Sequence, residues 1–107
     1  LATLITSRGA PMSPTEIEDV IYQWEEVAEV VAYGVADAEL GQAVHVIVTT
    51  RDERPPDVPG LTKHCVERMV DVMVPTHIHW MAGRMPRTAS GKIDRTQVIA
   101  RDTEYHC

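Results

Sequence analysis

The residues of this chain best suited to chemistry lie near its C-terminal end, in the segment Pro86-Arg87-Thr88-Ala89-Ser90-Gly91-Lys92-Ile93-Asp94-Arg95. A lysine that follows a glycine on a loop can bring a flexible ammonium group close to a phosphate or carboxylate. It can also stabilise negative charge that develops during a reaction. The segment is not a nucleotide-binding P-loop, because that motif needs glycine at position 86 and serine or threonine at position 93. This chain has Pro86 and Ile93 there.

Histidines and cysteines form the second group of candidates. His77 and His79 alternate along a predicted strand, so their side chains share one face. The adjacent pairs at 64–65 and 106–107 add potential ligands. A structural zinc site shows close Cys/His pairs in repeated spacing, and this sequence does not, so we predict no metal site. Cys65 is predicted to be a buried helix residue, since no base or orienting group for a nucleophile can be identified.

Composition limits the function classes. The 107 residues provide one domain, and 44% hydrophobic and 24% charged residues are typical of a globular protein rather than a disordered one. Sixteen acidic residues outnumber ten basic ones, giving a net charge of −6. This balance disfavours nucleic-acid binding, which usually requires a basic surface. No apolar run is long enough for a transmembrane segment.

The cysteines and the N-terminal residues predict the cellular compartment and the kind of chain to which this domain belongs. Two cysteines, Cys65 and Cys107, do not make a disulfide framework, and no secretory leader is recognisable. These features predict a reducing compartment, the cytoplasm. Because residue 1 is Leu rather than Met, we expect residues 1–107 to be one domain of a longer chain.

Periodicity and turn residues predict the elements that must position the loop with Gly91 and Lys92. A hairpin is expected within residues 1–12, with turn residues at 8–11. A capping box is expected at the start of the first helix, with Ser13 accepting from the Glu16 amide and Pro14 in the first turn. That helix should run from Pro14 to about Trp24 or Glu26, with an apolar stripe at Ile17, Val20, Ile21 and Trp24.

The rest of the chain alternates between strands and helices. Residues 27–35 and 43–50 predict two antiparallel strands, with alternate valines at 44, 46 and 48 on one face. A second helix is predicted over 61–73, ended by Pro75, followed by a strand over 76–81, a loop over 83–91 and a short helix over 93–101. The predicted fold class is α+β: a small sheet of about three main strands plus the N-terminal hairpin, covered by two to three helices.

By itself, Lys92 is compatible with an ordinary exposed lysine beside a turn glycine. The whole segment resembles the C-terminal signature of the adenylate-forming superfamily, which includes acyl-CoA synthetases, aryl-CoA ligases, luciferases and peptide-synthetase adenylation domains. Its pattern is Pro-Arg/Lys-Thr-x-x-Gly-Lys-x-x-Arg, and the matching residues are Pro86, Arg87, Thr88, Gly91, Lys92 and Arg95. The opening Ser13-Pro14-Thr15-Glu16-Ile17-Glu18 and the run from Val30 to Asp37 are also similar, so the resemblance covers about residues 5–101.

The resemblance implies a mobile lid domain of an ATP-dependent, AMP-forming acyl-CoA synthetase, an enzyme class linked to fatty acid metabolism. A large N-terminal domain of the same chain would bind ATP, with Mg²⁺, and a carboxylic acid substrate. The lid would deliver Lys92 for acyl-AMP formation. Gly91 would allow the sharp turn before it and let the backbone come close to the bound cofactor. After rotation, the hairpin near Gly9 would help form the tunnel for the pantetheine arm of CoA.

The sequence departs from the family pattern on the CoA side. After the glycine it has Ala10 and Pro11, where the family usually has an aromatic or similar residue followed by Arg, Lys or Glu. Thr6 stands where many members have lysine, and the expected acidic hinge falls near Ala2 and Thr3, which are uncharged. These departures concern the hinge and the CoA contacts rather than Lys92.

Two alternatives stay open at this point. The domain could be the lid of a peptide-synthetase or acyl-carrier-protein ligase, which differs in the acceptor of the acyl group. It could also be a stand-alone binding module that kept the lid fold without catalysis, a reading that the altered hinge favours and the intact signature opposes. The acid that is activated cannot be read from this chain, since its pocket would belong to the other domain.

We expect the 107-residue chain by itself to show no adenylation, because the resemblance assigns the ATP and acid sites mainly to the large domain. Pyrophosphate exchange on the purified chain, assayed with a series of carboxylic acids, checks this. Exchange above the enzyme-free background would contradict it.

Overall fold

A computed structural model describes the backbone of residues 4–105 and the side chains of residues 4–101. The elements in chain order are β1 (Ile5–Ser7), β2 (Ala10–Met12), α1 (Pro14–Tyr22), β3 (Val27–Asp37), β4 (Gly41–Thr50), α2 (Val58–Arg68), a 3₁₀ turn (Asp71–Met73), β5 (His77–Trp80) and α3 (Arg95–Tyr105). The predicted α+β class is confirmed. No helix in the described part of the chain is long and apolar enough to cross a membrane.

Strand β4 is the centre of the sheet. β3 pairs with it antiparallel along its whole length, from Val27 opposite Thr50 to Asp37 opposite Gly41. β5 pairs with β4 in parallel along its other edge, and β1 meets β4 at Ser7 opposite Gly41. β2 extends the sheet beyond β1, so the strand order is β2-β1-β4-β3, with β5 also beside β4.

The predicted N-terminal hairpin is confirmed. A two-residue turn, Arg8-Gly9, joins β1 to β2, and both residues have positive φ, 52° and 77°. Such a turn matches the right-handed twist of the flanking strands. The Arg8 amide donates to the Leu40 carbonyl at 2.8 Å, which fastens this turn to the β3–β4 connection.

Both faces of β4 are buried, and the three alternate valines share one face, as predicted. The valines at 44, 46 and 48 pack with residues of α1 and α2 into a larger apolar cluster, which includes Ile17, Ile21 and Leu61. Ile47 points to the opposite face, where it packs with Val31, Met85 of the signature region and Val98 of α3. The signature loop and α3 therefore cover one face of the sheet, while α1 and α2 cover the other.

Helix α1 begins as predicted but differs in its cap and its end. The Ser13 hydroxyl oxygen accepts from the Thr15 amide at 3.2 Å rather than from Glu16, whose amide donates to the Ser13 carbonyl. The helix ends at Tyr22, because the amides of the next two residues donate three residues back and tighten the last turn.

The prediction for α2 was wrong at both ends. Asp57 caps the helix through a 3.1 Å bond from the Gly60 amide, so the helix begins at Val58 and Pro59 lies in its first turn. It ends at Arg68, because Met69 is extended, and Pro75 is not its terminator. Val66, inside the helix, and Val70, beyond its end, are 55% and 64% exposed.

Cys65 is buried in α2, as predicted, and packs in the larger cluster. Burial raises the pKa of its thiol to about 11, against a weaker opposing effect of Arg68. The thiolate is therefore a minor species at neutral pH, which fits a packing role rather than a nucleophilic one.

The last helix is shifted relative to the prediction. α3 runs over Arg95–Tyr105 instead of 93–101, because Ile93 forms an isolated β-bridge with Arg87 and so belongs to the signature loop. Val98 is fully buried, and Ile93 and Ile99 are partly buried against the apolar cluster that contains Ile47 and Met85.

Candidate active-site loop

The signature loop is a narrow hairpin. Its two arms are joined by bonds from the Asp94 amide to the Pro86 carbonyl (2.8 Å) and from the Thr88 amide to the Lys92 carbonyl (2.7 Å). A third bond, from the Gly91 amide to the Thr88 carbonyl (2.9 Å), closes the tip. A turn followed by a left-handed glycine is a common hairpin loop, and Gly91 has φ +87°. The glycine is therefore required by the backbone conformation, and open space surrounds it.

Lys92 lies at the end of this tip and is exposed, as the sequence predicts. Within residues 4–101 its ammonium makes no side-chain hydrogen bond or ion pair. Its carbonyl is held by the hairpin, so the backbone is fixed while the charged end is free to meet an anionic ligand. This geometry suits a lysine that acts on a partner outside this domain.

Arg87 does not share this freedom. One terminal nitrogen of its guanidinium donates to the Glu29 carboxylate on β3 at 2.5 Å, and the other donates to the Gly91 carbonyl at 3.1 Å. The signature arginine therefore connects the sheet to the tip of the loop. Glu29 is only 8% exposed, and sequence reasoning missed it because a single glutamate in an apolar strand gives no sign of its distant partner.

Arg95, the last residue of the signature, lies at the start of α3 and, like Arg87, pairs with a buried glutamate. Its guanidinium donates to the Glu18 carboxylate at 2.7 Å and to the Ala32 carbonyl at 3.0 Å. Glu18 in turn accepts from the Ala32 amide at 2.8 Å and is buried. Arg95 therefore ties α3 to α1 and β3.

Gly9, the predicted CoA-side residue, lies at the tip of the β1–β2 hairpin, and a side chain there would meet no atom of the described structure within 4 Å. Its hairpin joins β4 at Gly41, whereas Glu29, which holds the signature loop, pairs with Thr49. These two attachment points are roughly 26 Å apart along β4, at about 3.3 Å per residue. The structure does not bring Gly9 and Lys92 into one site.

The departures from the family pattern map to the same hairpin. Thr6 and Pro11 pair across it, and Pro11 lies on an edge strand, where its missing N–H does not interrupt the sheet. The Thr6 amide donates to the Gln42 side chain at 2.7 Å, and that side chain covers Gly34. The uncharged hinge positions, Ala2 and Thr3, lie outside the described residues.

Three histidines meet on the sheet face that carries the signature loop. His77 and His79 share a face, as predicted, and His45 of β4 stacks with them, with ring centroids 4.3 Å and 5.2 Å away. The sequence did not bring His45 into this group, because its approach depends on the parallel pairing of β4 and β5. Among the described residues, no group of three or more His, Cys, Asp or Glu is arranged to hold a metal ion. The pair at 106–107 lies outside them.

The fold and the signature agree with the comparisons with known proteins. Residues 16–92 match the AMP-binding enzyme C-terminal domain, which is most of the chain, and the chain therefore belongs to this family. The resemblance stated from the sequence is thereby confirmed.

The relatives are ligases. The chain is 34% identical over 98 residues to a 2-succinylbenzoate–CoA ligase of Listeria innocua, covering 92% of this chain and 20% of the relative. It is 29% identical over 103 residues to a long-chain-fatty-acid–CoA ligase of Bacillus subtilis, covering 96% and 18%. A solved o-succinylbenzoate CoA synthetase of B. subtilis, in complex with its acyl-adenylate intermediate, superposes with a TM-score of 0.79 at 32% identity, covering 89% and 19%.

The chain thus spans about a fifth of the length of the curated relatives it matches. About four fifths of each of these relatives therefore has no counterpart among these 107 residues.

Replacing Arg95 tests its structural role. Arg95→Ala leaves the buried Glu18 carboxylate with one partner fewer, and we expect the free energy of unfolding to fall by about 1–3 kcal/mol. Arg101→Ala, at an exposed position on the same helix, should change it by less than about 0.5 kcal/mol. Urea unfolding of the 107-residue chain measures both, and equal losses would contradict the assignment.

Proposed function

We propose that this chain is the mobile C-terminal domain of an ATP-dependent, AMP-forming acid–CoA ligase, and that Lys92 is its catalytic residue. The observation that carries the proposal is the exposed ammonium of Lys92, which has no side-chain partner within residues 4–101, on a hairpin whose backbone is fixed. Membership of the family and the ligase relatives support the reaction class.

In the proposed first step, a carboxylate oxygen of the acid attacks the α-phosphorus of ATP. The new P–O bond gives acyl-AMP as the bond to pyrophosphate breaks. Negative charge grows on the phosphoryl and bridging oxygens, and a lysine ammonium placed there favours the transition state over the ground state. ATP and any Mg²⁺ it carries would be bound mainly by the larger domain.

In the proposed second step, the thiol of CoA attacks the acyl carbonyl carbon, thioester forms and AMP leaves. The Gly9 hairpin would face the active site at this stage, where a bare backbone leaves room for the pantetheine arm. The separation of the two attachment points along β4 supports a rotation between the steps, since one rigid domain cannot place both tips at one reacting centre.

CoA is the proposed acceptor because the curated relatives named above are CoA ligases. A second candidate uses another acceptor, a carrier-protein thiol or an amine. Two observations favour it: the unusual Ala10-Pro11 pair at the hairpin, and the likeness to an amide bond synthetase of Marinactinospora thermotolerans. That structure has a TM-score of 0.83 at 25% identity, covering 94% of this chain and 20% of its own. We place either enzyme in the cytoplasm, where the buried thiol of Cys65 would stay reduced.

Lys92→Ala in the full-length ligase should lower acyl-AMP formation by about 10²–10³-fold, the scale for losing one strong transition-state contact. Transfer from preformed acyl-AMP to CoA should change much less. The chain contains one other lysine, the exposed Lys63 of α2, so Lys63→Ala is a matched control that should leave both steps unchanged. Pyrophosphate exchange and thioester formation, measured separately, check this. If Lys92→Ala lowers the rates of both steps equally, or lowers neither, the rotating-lid proposal is wrong.

Gly9→Trp should show the opposite pattern, with adenylation kept and thioester formation lost, because the indole would fill the proposed tunnel. The control is Gly83→Trp, since Gly83 also has positive φ (+79°) and open space around it. Both variants share a backbone strain of about 1–2 kcal/mol, so only the tunnel effect differs. The same two assays are used. If the two glycine variants behave alike, the tunnel role of Gly9 is wrong.

A further inference from the structure

A buried carboxylate on β3 holds the signature loop from beneath. One oxygen of Glu29 accepts from the Thr49 hydroxyl at 2.9 Å and from the Met85 amide at 3.0 Å. The other accepts from the Arg87 guanidinium at 2.5 Å. Glu29 therefore binds the residue that precedes the loop and, through Arg87, the tip of the loop.

The second contact of Arg87 affects the direction in which the Lys92 side chain leaves the loop. Its other terminal nitrogen donates to the Gly91 carbonyl, and that carbonyl shares a rigid peptide plane with the amide nitrogen of Lys92. The bonds within the hairpin fix the shape of the loop, but they do not tie its tip to the sheet. The contacts from Glu29 through Arg87 to Gly91 tie the tip to the sheet, and they end at the residue before Lys92.

We infer that Glu29 is a positioning residue for Lys92: its carboxylate holds the Arg87 guanidinium, which sets the direction in which the catalytic ammonium leaves the loop. The inference rests on the proposed function. A change far from the chemistry that misplaces a catalytic group by about 1 Å can lower the rate about a hundredfold. Loss of the Glu29–Arg87 contact is therefore expected to lower the rate of adenylation.

Glu29→Gln tests the contact between Glu29 and Arg87 with little change in the shape of the side chain. The glutamine carbonyl can still accept from Thr49 and Met85, but its amide then presents N–H donors to a guanidinium that has only donors itself. The substitution therefore breaks the Arg87 contact selectively. Arg87→Ala breaks the same path from a partly exposed position, which keeps the test available if the buried variant folds poorly.

The chain offers a matched control in Glu18. It is buried to the same degree as Glu29, at 7% against 8% exposure, and it likewise holds a signature arginine and a backbone amide. Its arginine, Arg95, leads to α3 rather than to the tip of the loop. Glu18→Gln therefore reproduces the loss of a buried ion pair without disturbing the path to Lys92.

The experiment uses the full-length ligase and measures exchange and thioester transfer separately. Glu29→Gln should lower kcat of adenylation about tenfold to a hundredfold, with KM for ATP and transfer from preformed acyl-AMP little changed. Arg87→Ala should show the same pattern. Glu18→Gln should affect both steps alike or neither. In a Lys92→Ala background Glu29→Gln should have no additional effect, since the group that it positions is absent.

The outcomes separate this inference from the proposed function. If Lys92→Ala has no selective effect on adenylation, the proposed function fails. If Lys92→Ala is selective but Glu29→Gln behaves like Glu18→Gln, or its effect adds in full to that of Lys92→Ala, the inference about Glu29 is overturned while the proposed function stands.

Discussion

The burial of both faces of β4 is the constraint on which the rest of this domain depends. Alternate residues of this strand pack on opposite sides of the sheet, and each side has to be covered to exclude water. Helices α1 and α2 cover one side. The other side is covered by α3 and the residues leading into the signature loop, with Met85 and Val98 buried against Ile47. The segment with the candidate chemistry is therefore part of the second apolar layer.

Two buried carboxylates connect these layers. A carboxylate in a low-dielectric interior is costly unless it is paired and hydrogen-bonded, and both Glu18 and Glu29 are paired with an arginine of the signature. Four of the motif's matching positions thus have distinct tasks: Arg87 and Arg95 hold the loop and α3, Gly91 permits the turn, and Lys92 is left exposed. Three of these four positions therefore support the loop or α3, and Lys92 is the one whose charged end is left exposed.

The two half-reactions proposed for this domain would need two working ends on a stiff frame. The long β3–β4 pair provides such a frame, with the Gly9 hairpin at one end and the signature loop at the other. Both tips are bonded to it, through Arg8 and Leu40 at one end and through Arg87 and Glu29 at the other. Rotation of the frame as a unit would move one tip away as the other arrives, without internal rearrangement.

The sequence by itself determined the elements whose signals are local. The cap at Ser13, the alternation in β4, the turn residues of the first hairpin and the Gly91-Lys92 pair are each set by steric or hydrogen-bonding preferences within a few residues, and each was found. The order of residues 86–95 was also enough to indicate the family. The α2 boundaries failed because Asp57, rather than a residue nearer Leu61, supplies the cap. Only the tertiary structure decided that Glu29 lies beneath Arg87, that Glu18 meets Arg95 and that His45 stacks on β5. The partners in these pairs are between 32 and 77 positions apart, and a side-chain contact over such a separation is fixed by strand register and packing, which no short-range pattern records.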